Sequence, residues 1–305
     1  MQPCGGAYLM PRRWRVLAVV SVAVSMASLD MFIVNVAFPG IEVDFRGSGV
    51  ATLSWVLNAY VIVFAALLVP AGRLADRFGR RRWLLAGAVL FIAGSALCGL
   101  SPSVGALVAA RVVQAAGAAI LMPASLALLL PEFAPGERTA AIGVWATVGG
   151  VAAAAAPPLG GLLVEAGWRW VFWVNVPIGA AAVVYAARLL RESRESHAPL
   201  PDLSGTAVLA ASIALLARGL VKAPGWHWAD ARTVACLAGA AGGLALFWFR
   251  CARHISPVVE LSLLRVRSFA MANTAAMLFT ASLAVMLLGN VLLMTGVWRE
   301  SVLGA

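Results

Sequence analysis

The sequence predicts an all-α integral membrane protein with about nine transmembrane helices. Of its 305 residues, 62% are hydrophobic and only 12% are charged. Soluble domains average about 25% charged residues, and a soluble protein of this length could not bury so much apolar surface. The apolar residues also form runs long enough to cross a bilayer core of about 30 Å as helices. This composition excludes a soluble enzyme, a disordered chain and a disulfide scaffold.

Nine apolar runs, separated by charged residues or by Gly/Pro clusters, are the predicted helices. Their approximate bounds are 16–38, 52–71, 83–100, 104–129, 139–164, 170–190, 204–222, 232–250 and 269–293. The runs lack the period-2 alternation of a membrane barrel, which excludes strands. Arginines before the first run are also typical of a signal peptide, but the run continues past Ala27 to Phe38 and favours a retained helix.

The basic residues indicate how these helices are oriented. With a cytoplasmic N-terminus, sixteen of the 23 Lys and Arg residues fall in inner segments and six in outer ones, while Arg111 lies inside the membrane. Basic loops remain on the cytoplasmic side of a membrane. We therefore expect a multi-pass protein of the cell (inner) membrane, with a cytoplasmic N-terminus and an extracytoplasmic C-terminus. This bias accounts for the net charge of +10, so no nucleic-acid partner is expected.

No metal, cofactor or catalytic residue is expected. The four cysteines and three histidines are widely separated, without the spacing of a zinc site or a disulfide framework. Tryptophans at the ends of the runs, such as Trp168 and Trp170, fit the aromatic belt of a membrane interface.

The segment between the second and third helices, GRLADRFGRRR at 72–82, carries the most specific motif. A cytoplasmic loop explains its five arginines, but not its glycines or its aspartate. Glycine suits a tight turn with positive φ, and one carboxylate among arginines can bridge helix ends. The candidate residues of this loop signature are Gly72, Asp76, Arg77, Gly79, Arg80 and Arg81.

This segment matches the loop signature of the major facilitator superfamily at every fixed position. Further motifs resemble those of its fourteen-helix drug:proton antiporters, and the resemblance covers about residues 14–305. Residues 29–39 resemble the first-helix motif, and 168–179 the entry to helix six. The fourth-helix motif has Arg111, Gln114 and Gly117. The antiporter motif of helix five has Gly149, Gly150, Pro157, Pro158, Gly160 and Gly161.

The resemblance implies the major facilitator fold and four regions. These are a complete N-terminal six-helix half (1–191), a cytoplasmic linker (192–203), two extra helices (204–250) and the first helix of an incomplete C-terminal half (251–305). Members of the group have five further helices, so we expect a truncated or frameshifted member. A genuine short membrane protein is the alternative. The loop signature and helix five contact the second half in the family, so both are expected to lack partners in this chain unless helices seven to nine fold across them.

The resemblance also implies the function, which is efflux of hydrophobic drug-like compounds in exchange for protons. The proton gradient then takes the place of a cofactor. The expected partners are the lipid bilayer, a small hydrophobic substrate, and a missing C-terminal half or a full-length relative. Two alternatives are uptake of a polar solute by the same fold and a truncated membrane protein that does not transport or only assists assembly.

Asp30 and Arg111 are the predicted proton-coupling residues. They are the only carboxylate and the only arginine well inside a predicted span, where ionisable groups are costly and mark functional sites. Counted from the outer ends of helices one and four, both lie roughly 11–12 Å below the surface. Burial disfavours a charged carboxylate and a neighbouring cation favours it, so movement of Arg111 could switch Asp30. The alternatives are a structural hydrogen bond for Asp30 and structural pairing for Arg111; Asn35 is expected to serve packing.

Helix five presents glycines and alanines together with Pro157 and Pro158, which remove backbone donors and should bend it. Where two halves rock against each other, such a smooth, bent face suits the moving contact. Ordinary close packing within one half is the alternative. Ala152 and Ala156 stand where the family usually has glycine, and alanine still permits close packing.

The charge distribution predicts that the C-terminus lies outside the cytoplasm. A phosphatase that is active only outside should work when fused to Ala305, and a fluorescent protein that matures only inside should stay dark. Nine crossings from a cytoplasmic N-terminus give this outcome. Fluorescence without phosphatase activity would overturn the predicted nine crossings.

Overall fold

A computed structural model describes residues 11–195 and 202–296 of the chain. Within these ranges every regular element is helical, and eight helices have the length and hydropathy needed to cross a membrane. A further helix, Arg267–Gly296, is 30 residues long. The predicted all-α membrane fold is therefore confirmed.

Nine long helices correspond one by one to the predicted runs. They are α1 (Arg12–Asp44), α2 (Trp55–Phe78), α3 (Arg80–Gly99), α4 (Val104–Leu129), α5 (Arg138–Glu165), α6 (Trp170–Leu189), α7 (Leu203–Trp226), α8 (Ala231–Arg253) and α9 (Arg267–Gly296). The largest difference is at the end of α2, which continues to Phe78, whereas the predicted run ends at residue 71. Helix α1 likewise continues through Pro39 to Asp44, past the predicted end at residue 38.

The first six helices form one bundle, in which α1 packs against α4, α5 and α6. Helix α4 also packs against α2 and α3, and α3 packs against α6. Glycines bring α3 and α4 close together. A Cβ added to Gly94 would lie 2.6 Å from the backbone nitrogen of Gln114, and one added to Gly117 would lie 2.7 Å from the carbonyl oxygen of Gly87. The close approach of these two backbones places side chains of α3 next to side chains of α4.

Helix α6 is interrupted near its start. A single turn, Trp170–Trp173, is followed at Asn175 by the longer piece Asn175–Leu189. The loop before it turns at Gly167, whose φ of 124° is in the left-handed region that favours glycine. The interruption places Asn175, a buried polar residue, on the side of α6 that faces the bundle.

Helices α7 and α8 form a hairpin, and α7 packs against α2. The start of the hairpin is held by Asp202, which caps α7 by accepting the backbone N–H of Gly205 at 2.8 Å. The same carboxylate accepts hydrogen bonds from Arg250 of α8 at 2.9 and 3.1 Å. Asp202 is only 4% exposed. One carboxylate therefore ties the first turn of α7 to the last turn of α8.

The Asp202 cluster predicts how the hairpin responds to pH. Hydrogen bonds from Arg250, and then from the Gly205 N–H and the Ser204 hydroxyl, hold the pKa of Asp202 well below its usual range. A carboxyl group whose pKa is lower in the folded state stabilises the fold above its unfolded pKa of about 4, and this stabilisation is lost as the pH falls. We expect Asp202→Asn to lower the unfolding temperature at pH 7 and to weaken the destabilisation below pH 4.

Thermal unfolding of the detergent-solubilised protein between pH 7 and pH 3 measures this effect. Asp230→Asn is the matched control, because Asp230 caps α8 by accepting the Arg232 N–H at 2.7 Å. Asparagine also caps helices well, so the control should change little. Equal pH curves for wild type and Asp202→Asn would contradict the role of the Asp202–Arg250 pair.

Candidate functional site

A cluster of buried polar side chains lies inside the six-helix bundle. Its members are 0–1% exposed: Asp30 of α1, Ser95 and Cys98 of α3, Arg111 and Gln114 of α4, and Asn175 of α6. The surrounding residues are mostly apolar, from the core groups on either side of the cluster. The cluster includes both predicted proton-coupling residues.

Arg111 and Asp30 form a direct ion pair, with 2.6 Å between Arg111 Nη1 and Asp30 Oδ2. Arg111 Nη1 also donates to Gln114 Oε1 at 2.8 Å, and Nε donates to the carbonyl oxygen of Val56 at 3.2 Å. The guanidinium carbon lies 4.0 Å from the ring centroid of Tyr60, within the range of a cation–π contact. The similar depths estimated from the sequence thus correspond to contact in the structure.

The carboxylate of Asp30 accepts hydrogen bonds at both oxygens. While Oδ2 faces Arg111, Oδ1 accepts from Gln114 Nε2 at 2.8 Å and from Asn175 Nδ2 at 3.3 Å. All of these neighbours are donors. The arrangement fits an ionised carboxylate, which only accepts hydrogen bonds.

Ser95 connects the two amides of the cluster. Its Oγ accepts from Gln114 Nε2 and from Asn175 Nδ2, each at 3.1 Å, and donates to the carbonyl oxygen of Phe172 at 2.8 Å. Cys98 donates to Gln114 Oε1 across 3.5 Å. Ser95, Cys98 and Asn175 were not among the site residues predicted from the sequence. Their signal was weak, because each is a small polar residue inside an otherwise apolar run.

The residues of the fourth-helix motif have two different roles. Arg111 and Gln114 lie three residues apart on one face of α4, so both side chains reach the cluster. Gly117, one turn further on, packs against the backbone of α3 at Phe91 and Gly87. Asn35, by contrast, lies outside the cluster on an exposed part of α1 and donates to the carbonyl of Phe32 in its own helix.

The loop signature forms a tight connection between α2 and α3. Gly79 separates the two helices with a φ of 115°, as expected for a turn that needs glycine. Gly72 lies against Pro123 of α4, where an added Cβ would be 3.1 Å from the proline Cβ. Asp76 accepts a hydrogen bond from Arg80 at 2.7 Å and bridges the two helix ends. Arg77 lies in the last turn of α2.

The expectation that the loop arginines lack partners unless helices seven to nine cover them is wrong for Arg80, Arg81 and Arg82. Arg81 bonds to the carbonyl of Ala187 in the last turn of α6, and Arg80 and Arg82 pair with Glu195 and Glu192 just after this helix. Arg73 bonds to Ser256 and Glu260, which lie between α8 and α9. Glu192 also caps α3, because its carboxylate oxygens accept the N–H groups of Arg81 and Arg82 at 3.1 Å each. Carboxylates are favourable at helix N-termini, where backbone N–H groups have no partner in the helix. The described start of the predicted linker therefore packs on the loop signature.

The antiporter motif of α5 faces two directions. Gly149, Gly160 and Gly161 are buried, and added Cβ atoms on Gly149 and Gly160 would lie 3.0 Å from Val24 and Ile33 of α1. For these glycines the expectation of a partnerless face is wrong, since they pack closely within the half. Gly150, Pro157 and Pro158 are exposed. Within the motif, this second group lies on the exposed surface of α5.

A family model of the Major Facilitator Superfamily matches residues 20–304. The chain therefore belongs to the major facilitator superfamily, and it is a multi-pass membrane protein of a transporter family rather than an enzyme.

The curated relatives carry names of resistance and export proteins. The tetracenomycin C resistance and export protein of Streptomyces glaucescens is 41% identical over 271 residues, which cover 87% of this chain and 50% of that protein. The multidrug resistance protein Stp of Mycobacterium tuberculosis is 38% identical over 258 residues, 84% of this chain and 48% of that protein. The methylenomycin A resistance protein of Streptomyces coelicolor is 34% identical over 283 residues, which cover 92% of this chain and 59% of that protein. The chain spans about half the length of the curated relatives it matches.

Solved structures share the fold at lower identity. The POT family transporter PepTSo has a TM-score of 0.55 at 17% identity, and the match covers 84% of this chain and 57% of that one. The human organic anion transporter MFSD10 has a TM-score of 0.53 at 19% identity, and the match covers 70% of this chain and 57% of that one. These similarities concern the fold alone.

Proposed function

We propose that this chain contributes the N-terminal half, two extra helices and the first helix of the second half to a proton-coupled exporter. The exporter moves hydrophobic drug-like compounds out of the cell in exchange for protons. The observation that carries the proposal is the buried ion pair between Asp30 and Arg111 at 2.6 Å. The names of the relatives support export as the direction of transport.

A buried ion pair suits proton exchange because either charge is strongly destabilised when its partner moves away. Removing one partner of such a pair typically costs about 3–5 kcal/mol. If Arg111 moves away, Asp30 therefore takes up a proton and becomes neutral. If Arg111 returns, the proton is released. Any rearrangement of α4 relative to α1 during transport is in this way coupled to the charge of Asp30.

The proposal includes an orientation in the cell membrane. The N-terminus and the loop signature lie on the cytoplasmic side, as the excess of basic residues there favours. Asp30 then lies nearer the outer face, in the part of α1 that follows its midpoint. A proton entering from outside reaches Asp30 through the outer half of the bundle.

Substitution of Asp30 tests the proposal in a full-length transporter that contains this segment. Asp30→Asn should still bind substrate but lose proton-coupled efflux, because the amide has a similar shape and cannot carry the proton. Arg111→Ala should shift the pH optimum upward, because without the cation the protonated carboxyl persists to higher pH. The measurement is uphill efflux of a fluorescent substrate from cells or vesicles over a range of pH.

Asp44→Asn is the matched control, because it makes the same change at the exposed outer end of α1. It should retain coupling. If Asp30→Asn drives uphill efflux with an unchanged pH profile, Asp30 is structural and the proposal fails.

A further inference from the structure

We propose that Asn175 and Ser95 are positioning residues that reserve one oxygen of Asp30 for proton exchange. Asn175 donates to Oδ1, and Ser95 orients Asn175 and Gln114, the two amides that occupy this oxygen, so that Arg111 and the proton replace one another at Oδ2. This inference rests on the proposed function of Asp30 and names residues that act on Asp30 through hydrogen bonds alone.

The two oxygens of Asp30 have different surroundings. Oδ1 is occupied by two neutral amide donors, Gln114 Nε2 at 2.8 Å and Asn175 Nδ2 at 3.3 Å. Oδ2 contacts a donor of Arg111 at 2.6 Å. A proton placed on Oδ1 would have to displace one of these amide N–H groups. The amides stay in place when Arg111 moves away, so Oδ1 keeps its donors. When Arg111 withdraws, Oδ2 loses its donor and is the oxygen on which the new O–H bond forms.

Ser95 fixes both amides in the orientation that this requires. A hydroxyl group has one donor and two acceptor sites, and all three are used at Ser95. Because the hydroxyl hydrogen goes to Phe172 O, its lone pairs face Gln114 and Asn175. Each amide must therefore direct its NH₂ group toward both Ser95 and Asp30. A flipped amide would place its carbonyl oxygen against the carboxylate.

Ser95 also spans the interruption of α6. Its hydrogen bond to the Phe172 carbonyl holds the first turn, and its bond from Asn175 holds the start of the longer piece. A change at the interruption would thus alter the donor that Asn175 presents to Asp30. Through this contact an uncharged side chain of α6 influences the proton site.

Few titratable or charged groups lie near Asp30, so the hydrogen bonds from the amides should have a measurable effect on its protonation. The titratable and charged side chains that face Asp30 are Arg111 of α4, Tyr60 of α2 and Cys98 of α3. On α5, the residues from Gly149 to Gly161 are uncharged. Hydrogen bonds to a charged group are worth roughly as much free energy as one pH unit of titration. Loss of the Asn175 donor should therefore be visible beside the larger effect of Arg111.

The test is the pH dependence of labelling of Asp30 in the 305-residue protein, reconstituted in lipid. Dicyclohexylcarbodiimide is an apolar reagent that reacts with protonated carboxyl groups, and mass spectrometry measures the modified fraction. Asn175→Leu and Ser95→Ala should each raise the pH of half-maximal labelling by about one unit. Ser95→Thr keeps the hydroxyl and should restore the wild-type value. Asn35→Leu, which removes an exposed amide from α1, is the matched control and should change nothing.

Two results would overturn the inference, and they are distinguishable. If Asp30 is labelled at low pH in every protein but Asn175→Leu and Ser95→Ala keep the wild-type midpoint, the positioning role is wrong and the proton site stands. If Asp30 is labelled at no pH in wild type and in Arg111→Ala, the proposed function fails as well. Elution as a single symmetric peak from a sizing column establishes that each variant is folded before labelling.

Discussion

The buried ion pair between Asp30 and Arg111 is the constraint on which the rest of the bundle depends. Two charges that are 0% and 1% exposed must find all their partners within the protein. A single unpaired charge at that depth would cost several kcal/mol. The surrounding helices therefore supply donors and acceptors at fixed positions: a carbonyl from α2, a hydroxyl from α3, an amide from α4 and an amide from α6.

Several features of the backbone follow from this need. Gly94 lets α3 approach α4 so closely that Ser95 reaches Gln114, because a Cβ at Gly94 would overlap the backbone of Gln114. The interruption of α6 presents Asn175 to the same cluster. Buried polar networks stabilise a fold when every member has its partners, and lose this advantage when one is missing. The same completeness makes the cluster sensitive to any movement of α4 or α6.

The helices could be predicted from the sequence because hydrophobic length alone decides which segments can span a membrane. The similar depth of Asp30 and Arg111 could also be estimated from the sequence, and it permits their contact, but the structure is needed to show the ion pair. Ser95 and Asn175 could not be predicted, because their hydrogen bonds depend on how α3 and α6 pack against the pair. The partners of the loop arginines were missed for a similar reason. Glu192 and Glu195 follow α6 in a polar segment, and only the packed structure shows that they return to the loop between α2 and α3.

A double-mutant cycle on the ion pair tests the central claim most directly. The variants are Asp30→Asn, Arg111→Gln and the two combined, and the measurement is the free energy of unfolding in detergent. Asp30→Asn leaves the Arg111 charge without its partner, and Arg111→Gln forces Asp30 to take up a proton. Each single variant should therefore lose up to about 3–5 kcal/mol, whereas the double variant should lose clearly less than the sum. Losses that simply add would mean that the two charges do not stabilise each other, which would contradict this account.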